Sequence, residues 1–214
     1  MASRGAFFAV VLALGSAVGF VPSKAAGQSS SKPHVKAREN AAPEIAGVSD
    51  GVYRNQSLNF SYKIPFGWVD RSEDMREGSE LGKSLLLLSV FERPPEAKAE
   101  GVDPAVVIAA ENTSSYPGLK TAAEYFGPLT EMTASKGFKA MNQPYEVTVG
   151  SKMLVRGDFS KEAGKTTMRQ TSLVFLQKNW IVSFTFIGTS DDEVEELLGK
   201  LSFGNGAGPR SHSK

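Results

Sequence analysis

Acidic side chains cluster in residues 70–80, where their type and spacing could hold a hard metal cation. They are Asp70, Glu73, Asp74, Glu77 and Glu80. Ca²⁺ and Mg²⁺ prefer several oxygen ligands. The spacing departs from the EF-hand pattern, however, and Arg71 and Arg76 stand between the acids and oppose a cation. We interpret the segment as a solvated loop or short helix, with a carboxylate- or metal-dependent enzyme as the alternative.

A second acidic group could act as a metal cluster or as a general acid/base pair. Its members are Asp191, Asp192, Glu193, Glu195 and Glu196. Ser190 and Glu193 have the spacing of a capping box, and the helix dipole favours acids in a first turn. The pattern indicates the start of a helix with an exposed acidic face.

Basic side chains on strands that should be neighbours could form an anion-binding patch on the open face of a sheet. They are Lys152, Arg156 and Arg169. Pairing of these cations with Asp158 or Glu146 is the competing interpretation, because opposite charges on adjacent strands stabilise a sheet.

A polar loop, Ser114-Ser115-Tyr116-Pro117-Gly118, separates a predicted strand from a predicted helix. Loops of this kind often carry function, but no histidine or lysine motif is present to activate a serine. Together with the three cations, the loop gives a candidate partner-binding surface. Its members are Ser114, Ser115, Tyr116, Lys152, Arg156 and Arg169.

The composition excludes several chemistries. The 214 residues contain no cysteine, and the two histidines, His34 and His212, lie near the ends. Disulfides, cysteine-ligated zinc and thiol catalysis are therefore absent. Residues 51–203 carry a net charge of −3 and the remainder +4, without the basic face of a nucleic-acid-binding protein. We predict no catalytic residue, metal ligand or cofactor site.

The N-terminus has the features of a secretory signal peptide, residues 1–25. Arg4 precedes the apolar run Ala6–Val21, which Pro22 ends. The predicted cleavage region contains Ser23, Ala25 and Ala26. We place the mature start between Ala26 and Gln28. An uncleaved membrane anchor is the alternative, because the run is near the spanning length of about 20 residues.

We expect residues 26–50 to be a disordered linker and residues 204–214 a disordered tail, because both are rich in small and polar residues. Residues 51–203 then form the folded domain. Alternating and apolar runs predict its strands as Leu58–Ile64, Ser84–Glu92, Ala105–Asn112, Tyr145–Val149, Lys152–Ser160, Thr166–Gln177 and Trp180–Ile187.

Helical spacing predicts two main helices, Thr121–Lys136 and Asp191–Leu201. Pro128 predicts a kink, or a second helix that begins there, and Gly137 is the expected residue after the helix end. The short turns between the later strands make the sheet antiparallel. The predicted fold is therefore α+β, with a twisted antiparallel sheet of about six to seven strands and two main helices.

Three motifs resemble those of PsbP-like domains. They are Tyr53…Phe60-Ser61-Tyr62…Pro65…Gly67-Trp68, Thr121-Ala122-Ala123-Glu124-Tyr125 and Leu201-Ser202-Phe203. The resemblance covers about residues 51–203 and implies the α/β/α sandwich shared by photosystem II PsbP and bacterial DcrB. It also implies binding of other proteins rather than turnover. The metal sites of photosystem PsbP proteins are not carried over, because residues 51–203 contain no histidine.

We therefore expect an exported, non-enzymatic protein that binds another protein in the bacterial cell envelope, in the periplasm or outside the cell. The expectation includes no cofactor, no nucleic acid and no stable membrane span after signal cleavage. The same binding domain held on the membrane by an uncleaved N-terminal helix is a further alternative.

Overall fold

The computed structural model describes residues 42–76, 84–94 and 102–204. The expected signal peptide and its cleavage region at Ser23, Ala25 and Ala26 lie outside the described residues, as do Glu77, Glu80 and residues 205–214. No helix among the described residues is long and apolar enough to cross a membrane.

In the described part of the chain a 3₁₀ helix lies at Thr113–Ser115, and the other elements follow one another as strands, with α-helices inserted at three points. They are β1 (Val48–Ser49), β2 (Val52–Asn55), β3 (Phe60–Lys63), β4 (Val69–Asp70), α1 (Ser72–Arg76), β5 (Ser84–Phe91), β6 (Ala105–Asn112), α2 (Ala122–Ser135), β7 (Lys139–Ala140), β8 (Tyr145–Val149), β9 (Lys152–Ala163), β10 (Thr166–Gln177), β11 (Trp180–Gly188), α3 (Asp191–Leu198) and β12 (Leu201–Phe203). The predicted α+β class is confirmed.

The strands divide between two sheets, where the sequence predicted one. The larger sheet has eight strands in the order β4-β5-β6-β11-β10-β9-β7, with β8 also paired to β9. The smaller sheet has the order β1-β2-β3-β12. Its β1, Val48–Ser49, lies within the segment expected to be a linker and pairs with β2. All strand pairs are antiparallel, as predicted.

The opening and closing motifs of the domain meet in the smaller sheet. Tyr62 of β3 lies opposite Leu201 of β12, and Phe60 lies opposite Phe203. The pairing shortens the final helix, which was predicted to reach Leu201 but ends at Leu198. Alternation along β3 buries Phe60 and Tyr62, because every second side chain of a strand points to the same face.

The larger sheet buries both of its faces, which makes it the middle layer of the fold. On one face it packs against the smaller sheet and α3 in a core that includes Leu88, Ile108 and Phe184. On the other face α2 contributes Tyr125 and Phe126 to a second core. Leu86, Leu87 and Leu88 are buried in succession, so this strand is covered on both faces.

Helix α2 begins at a complete capping box. The Thr121 side chain accepts a hydrogen bond from the Glu124 N–H, and the Glu124 carboxylate accepts one from the Thr121 N–H. The helix is continuous through Pro128, so the alternative of a second helix beginning there is wrong. Gly137 follows the helix end with φ +87°, a conformation that glycine adopts without strain, as predicted.

Candidate partner-binding surface

The centre of the surface is the Arg156 side chain, which β9 directs toward α3. Its Nε donates to Asp158 Oδ1 over 2.8 Å, and its Nη2 lies 2.5 Å from Glu195 Oε1 of α3. The side chains of Arg156 and Asp158 are 16% and 15% exposed, so the pair is largely shielded from water. The competing interpretation of Asp158 as a partner of Arg156 is therefore the observed one, although both residues lie on the same strand.

Asp158 receives hydrogen bonds on both carboxylate oxygens. Thr171 donates to Oδ1 over 2.7 Å, whereas Asn142 and Tyr145 donate to Oδ2 over 3.0 and 3.1 Å. Burial raises the pKa of Asp158, but the hydrogen bonds from Asn142, Thr171 and Arg156 outweigh it and hold this pKa below its ordinary value. The carboxylate therefore stays charged and ties β9 to β10 and to the segment before β8.

Arg169 lies beside this network and lines the same cleft. Its Nε is 3.4 Å from Asp191 Oδ1 at the start of α3, and its Nη1 lies 3.2 Å from the Met141 sulfur. The cleft has a volume of about 180 Å³, and its lining includes Arg156 and Asp158. Because Asp191 is 73% exposed, this ion pair is weakly held.

Two exposed hydrophobic side chains flank the cleft. Met141 is 51% exposed and Tyr145 is 41% exposed. The Tyr145 ring also lies 6.0 Å from the Arg156 guanidinium. Methionine, tyrosine and arginine are enriched in protein interfaces. We call Met141, Tyr145, Arg156, Arg169 and Asp191 the Arg156 surface.

The acids of α3 have separate structural partners. Ser190 accepts a hydrogen bond from the Glu193 N–H, as the capping-box spacing predicted. Glu193 accepts from the Thr189 N–H over 2.6 Å, and Glu196 pairs with Lys200 over 2.9 Å. Among the described residues, no group of three or more potential metal-ligating side chains is found.

The other members of the predicted surface lie elsewhere. Lys152 sits over the Phe175 ring, 4.5 Å from its centroid. Ser114, Ser115 and Tyr116 follow the end of β6, where the Thr113 N–H bonds to Asn179 at the β10–β11 turn. Arg169 pairs with Gly188 at the far end of β11. The structure therefore brings Arg156 and Arg169 together and separates both from the serine loop.

Tyr116 of that loop belongs to a buried network. Tyr125 of α2 donates to Glu111 Oε1 over 2.7 Å, and Tyr116 donates to Glu111 Oε2. Glu111 is 4% exposed. Burial raises its pKa, and the two tyrosine hydrogen bonds only partly offset this. The network fastens the serine loop and α2 to the sheet. The local sequence signal for this network is an acidic residue, Glu111, that follows the apolar residues of β6.

The acidic segment at the start of α1 has a capping role. Asp70 Oδ1 accepts hydrogen bonds from the Ser72 N–H and hydroxyl over 2.9 and 2.5 Å. Glu73 and Asp74 are exposed in the first turn of α1. Asp70 and its neighbours line a cleft of about 310 Å³ between the two sheets, with Arg71 and Arg76 also in its lining.

No protein-family model matches the chain, and no curated protein matches its sequence. In structure it is similar to the cyanobacterial PsbP (CyanoP) of Synechocystis sp. PCC 6803, with 13% identity and a TM-score of 0.48, over 74% of this chain and 96% of that chain. It is also similar to LpqN of Mycobacterium tuberculosis, described as involved in cell envelope biogenesis, with 13% identity and a TM-score of 0.39, over 68% and 83%.

A crystal structure from Bacteroides thetaiotaomicron VPI-5482 is similar with 12% identity and a TM-score of 0.38. The match covers 74% of this chain and 50% of that chain, so this chain spans half the length of that protein. A PsbP structure is thus among the matches. At these identities no activity is carried over.

Proposed function

We propose that this protein is an exported, non-enzymatic accessory factor that binds another protein of the bacterial cell envelope through the Arg156 surface. The carrying observation is that exposed Met141 and Tyr145 flank a cleft built on the largely buried Arg156–Asp158 pair. Tyrosine and arginine are enriched among the few residues that supply most of the binding energy of a protein interface.

A binding role also agrees with how the carboxylates are used. Asp158 is occupied by four donors, and Glu111 is buried beneath two tyrosines. Asp158 lines the cleft but is engaged by these donors, and Glu111 is buried, so neither is placed as a free general base. Of the acids that the alternative enzyme at residues 70–80 would use, Asp70 accepts hydrogen bonds from the Ser72 N–H and hydroxyl at the start of α1. Export rests on the sequence of residues 1–25, and N-terminal sequencing tests it, with a mature start between Ala26 and Gln28 expected.

Quantitative affinity purification from the producing cell tests the binding role. Met141→Asp places a charge on the proposed surface. Met153→Asp is the matched control, since Met153 is 61% exposed and lies on β9 outside this cleft. We expect a protein that wild type and Met153→Asp enrich equally and that Met141→Asp loses at least about tenfold, the equivalent of 1.4 kcal/mol. Equal enrichment of the same protein by wild type and both variants would refute binding through the Arg156 surface.

A further inference from the structure

Strand β8 has a strand neighbour on one side only within the described part of the chain. It pairs with β9 from Tyr145 opposite Arg156 to Val149 opposite Lys152. Its five residues contain no proline or bulge, which can protect an edge, and one charged side chain, Glu146. Within the described residues its other edge is not paired with a strand, although β12 comes close to it at the Gly150 end.

The opposite side of the same sheet shows such protection. Beyond the two-residue β4, the Ser72 hydroxyl of α1 accepts a hydrogen bond from the Ser89 N–H of β5 over 2.8 Å. Arg76 donates to the carbonyls of Leu86 and Leu87 over 2.8 and 2.7 Å. Helix α1 thus occupies backbone groups of β5 that a foreign strand would otherwise bind.

The hydrogen bonds of the neighbouring strand β9 show which backbone groups of β8 face away from it. The Asp158 carbonyl accepts from the Met141 N–H over 2.8 Å, so the backbone groups of Asp158 point away from β10. Strand alternation then points those of Arg156 the same way, toward Tyr145. By the same alternation Glu146 and Thr148 direct their N–H and C=O groups to the free edge.

We propose that β8 pairs with β8 of a second copy of this chain, antiparallel about a two-fold axis at Val147. In this register Glu146 and Thr148 of one copy lie opposite Thr148 and Glu146 of the other. Their four outward groups on each strand then all form hydrogen bonds across the interface. An isologous two-fold contact of this kind closes the assembly at a dimer.

The side chains fit the same register. Tyr145 lies opposite Val149 of the second copy, and aromatic residues pair favourably with β-branched ones. Glu146, the charged residue of β8, lies opposite Thr148 and not opposite itself. The turn at Gly150 bounds the paired segment, because β8 ends at Val149. The dimer joins two larger sheets into one.

Sedimentation velocity of the full exported chain over a concentration series tests the dimer. Thr148→Pro removes an outward N–H and leaves the pairing with β9 intact, whereas Thr148→Ala keeps that N–H. We expect a concentration-dependent dimer for wild type and Thr148→Ala, and a folded monomer for Thr148→Pro. A wild-type monomer at every concentration, or a dimer that survives Thr148→Pro, would overturn the proposal.

Single cysteines test the register even where Thr148→Pro fails to fold, because the chain has no cysteine of its own. Val147→Cys places two thiols at a non-hydrogen-bonded pair with a Cα separation of about 4.5 Å, within disulfide range. Thr148→Cys faces Glu146 of the other copy. We expect mild oxidation to join Val147→Cys into a covalent dimer and to leave Thr148→Cys unjoined. Equal amounts of covalent dimer from the two variants, or no covalent dimer from Val147→Cys, would refute the register.

Discussion

Arg156 of β9 and Glu195 of α3 are joined by an ion pair of 2.5 Å, which fastens the final helix to the larger sheet. The same guanidinium contacts Asp158 at 2.8 Å. One side chain therefore sets both the position of α3 and the floor of the cleft on which the proposed binding surface rests.

Arg156→Ala should lower the free energy of unfolding by about 1–3 kcal/mol, because it leaves the largely buried Asp158 without its cation. Glu195→Gln is the matched control. Glu195 is 51% exposed, so its loss should cost less than about 1 kcal/mol. Urea denaturation measures both values. Equal losses would mean that the bond to α3, rather than the pairing with Asp158, carries the stability.

Gly157→Ala should destabilise the fold by about 1–3 kcal/mol, because a Cβ at this buried position overlaps the ring of Phe126 on α2. Gly47→Ala is the control, since Gly47 is exposed and has no atom within 4 Å of an added Cβ. That change should alter the free energy of unfolding by less than about 0.5 kcal/mol. Thermal unfolding compares the two.

A double-mutant cycle makes the Gly157 prediction specific. Phe126→Leu removes the ring edge, so Gly157→Ala should cost less in that background than in wild type. An unchanged cost would show that the penalty does not come from the contact with Phe126.

The stability contributed by Glu111 should fall as the pH rises. Burial raises its folded-state pKa, so the folded protein holds this proton more tightly than the unfolded chain does. This contribution to stability is fully present below the pKa that Glu111 has in the unfolded chain. It is lost as the pH rises through the pKa that Glu111 has in the folded protein. Glu111→Gln cannot ionise, so its stability relative to wild type should increase over that interval.

Glu124 should contribute to stability with the opposite pH dependence, and Glu124→Gln tests this. The Lys120 and Thr121 N–H groups hold the pKa of Glu124 below its ordinary value. Its contribution is present above the unfolded pKa and is lost as the pH falls through the folded pKa. Denaturant titrations at a series of pH values measure both variants. If the free energy of unfolding of wild type and of Glu111→Gln changed with pH in parallel, the account of Glu111 would be contradicted.

Arg76→Met should make the β5 edge prone to association, because the carbonyls of Leu86 and Leu87 lose their donors. Loss of hydrogen bonds from a charged donor should also cost about 1.5–3 kcal/mol. Light scattering during incubation below the unfolding temperature measures the association. Glu73→Gln, on the exposed side of α1, should behave as wild type.

Local patterns predicted most of the elements. Alternation and turn residues predicted β8 to β11, helical spacing predicted α2, and the capping-box spacing of Ser190 and Glu193 predicted the start of α3. These features arise from interactions between residues close in sequence. The pairing of Leu201 with Tyr62 joins the two ends of the domain, and no local pattern reports it. The second sheet and the early end of α3 were missed for that reason.

The candidate surface was predicted only in part. Arg156 and Arg169 were grouped because adjacent strands were expected to carry them, and both line one cleft. Met141 was missed because its exposure depends on the path between β7 and β8. Likewise Tyr125 reaches Glu111 only once α2 packs on the sheet, so the buried network could not be read from spacing.

Site-specific photo-crosslinking in intact producing cells tests the proposed binding surface most directly. A photoreactive residue at Met141 should give one product with a different protein, and Met153 should not give it, although Met153 is the more exposed residue. The product mass distinguishes a different protein from a second copy of this chain. The same product from both positions, or none from Met141, would contradict the account.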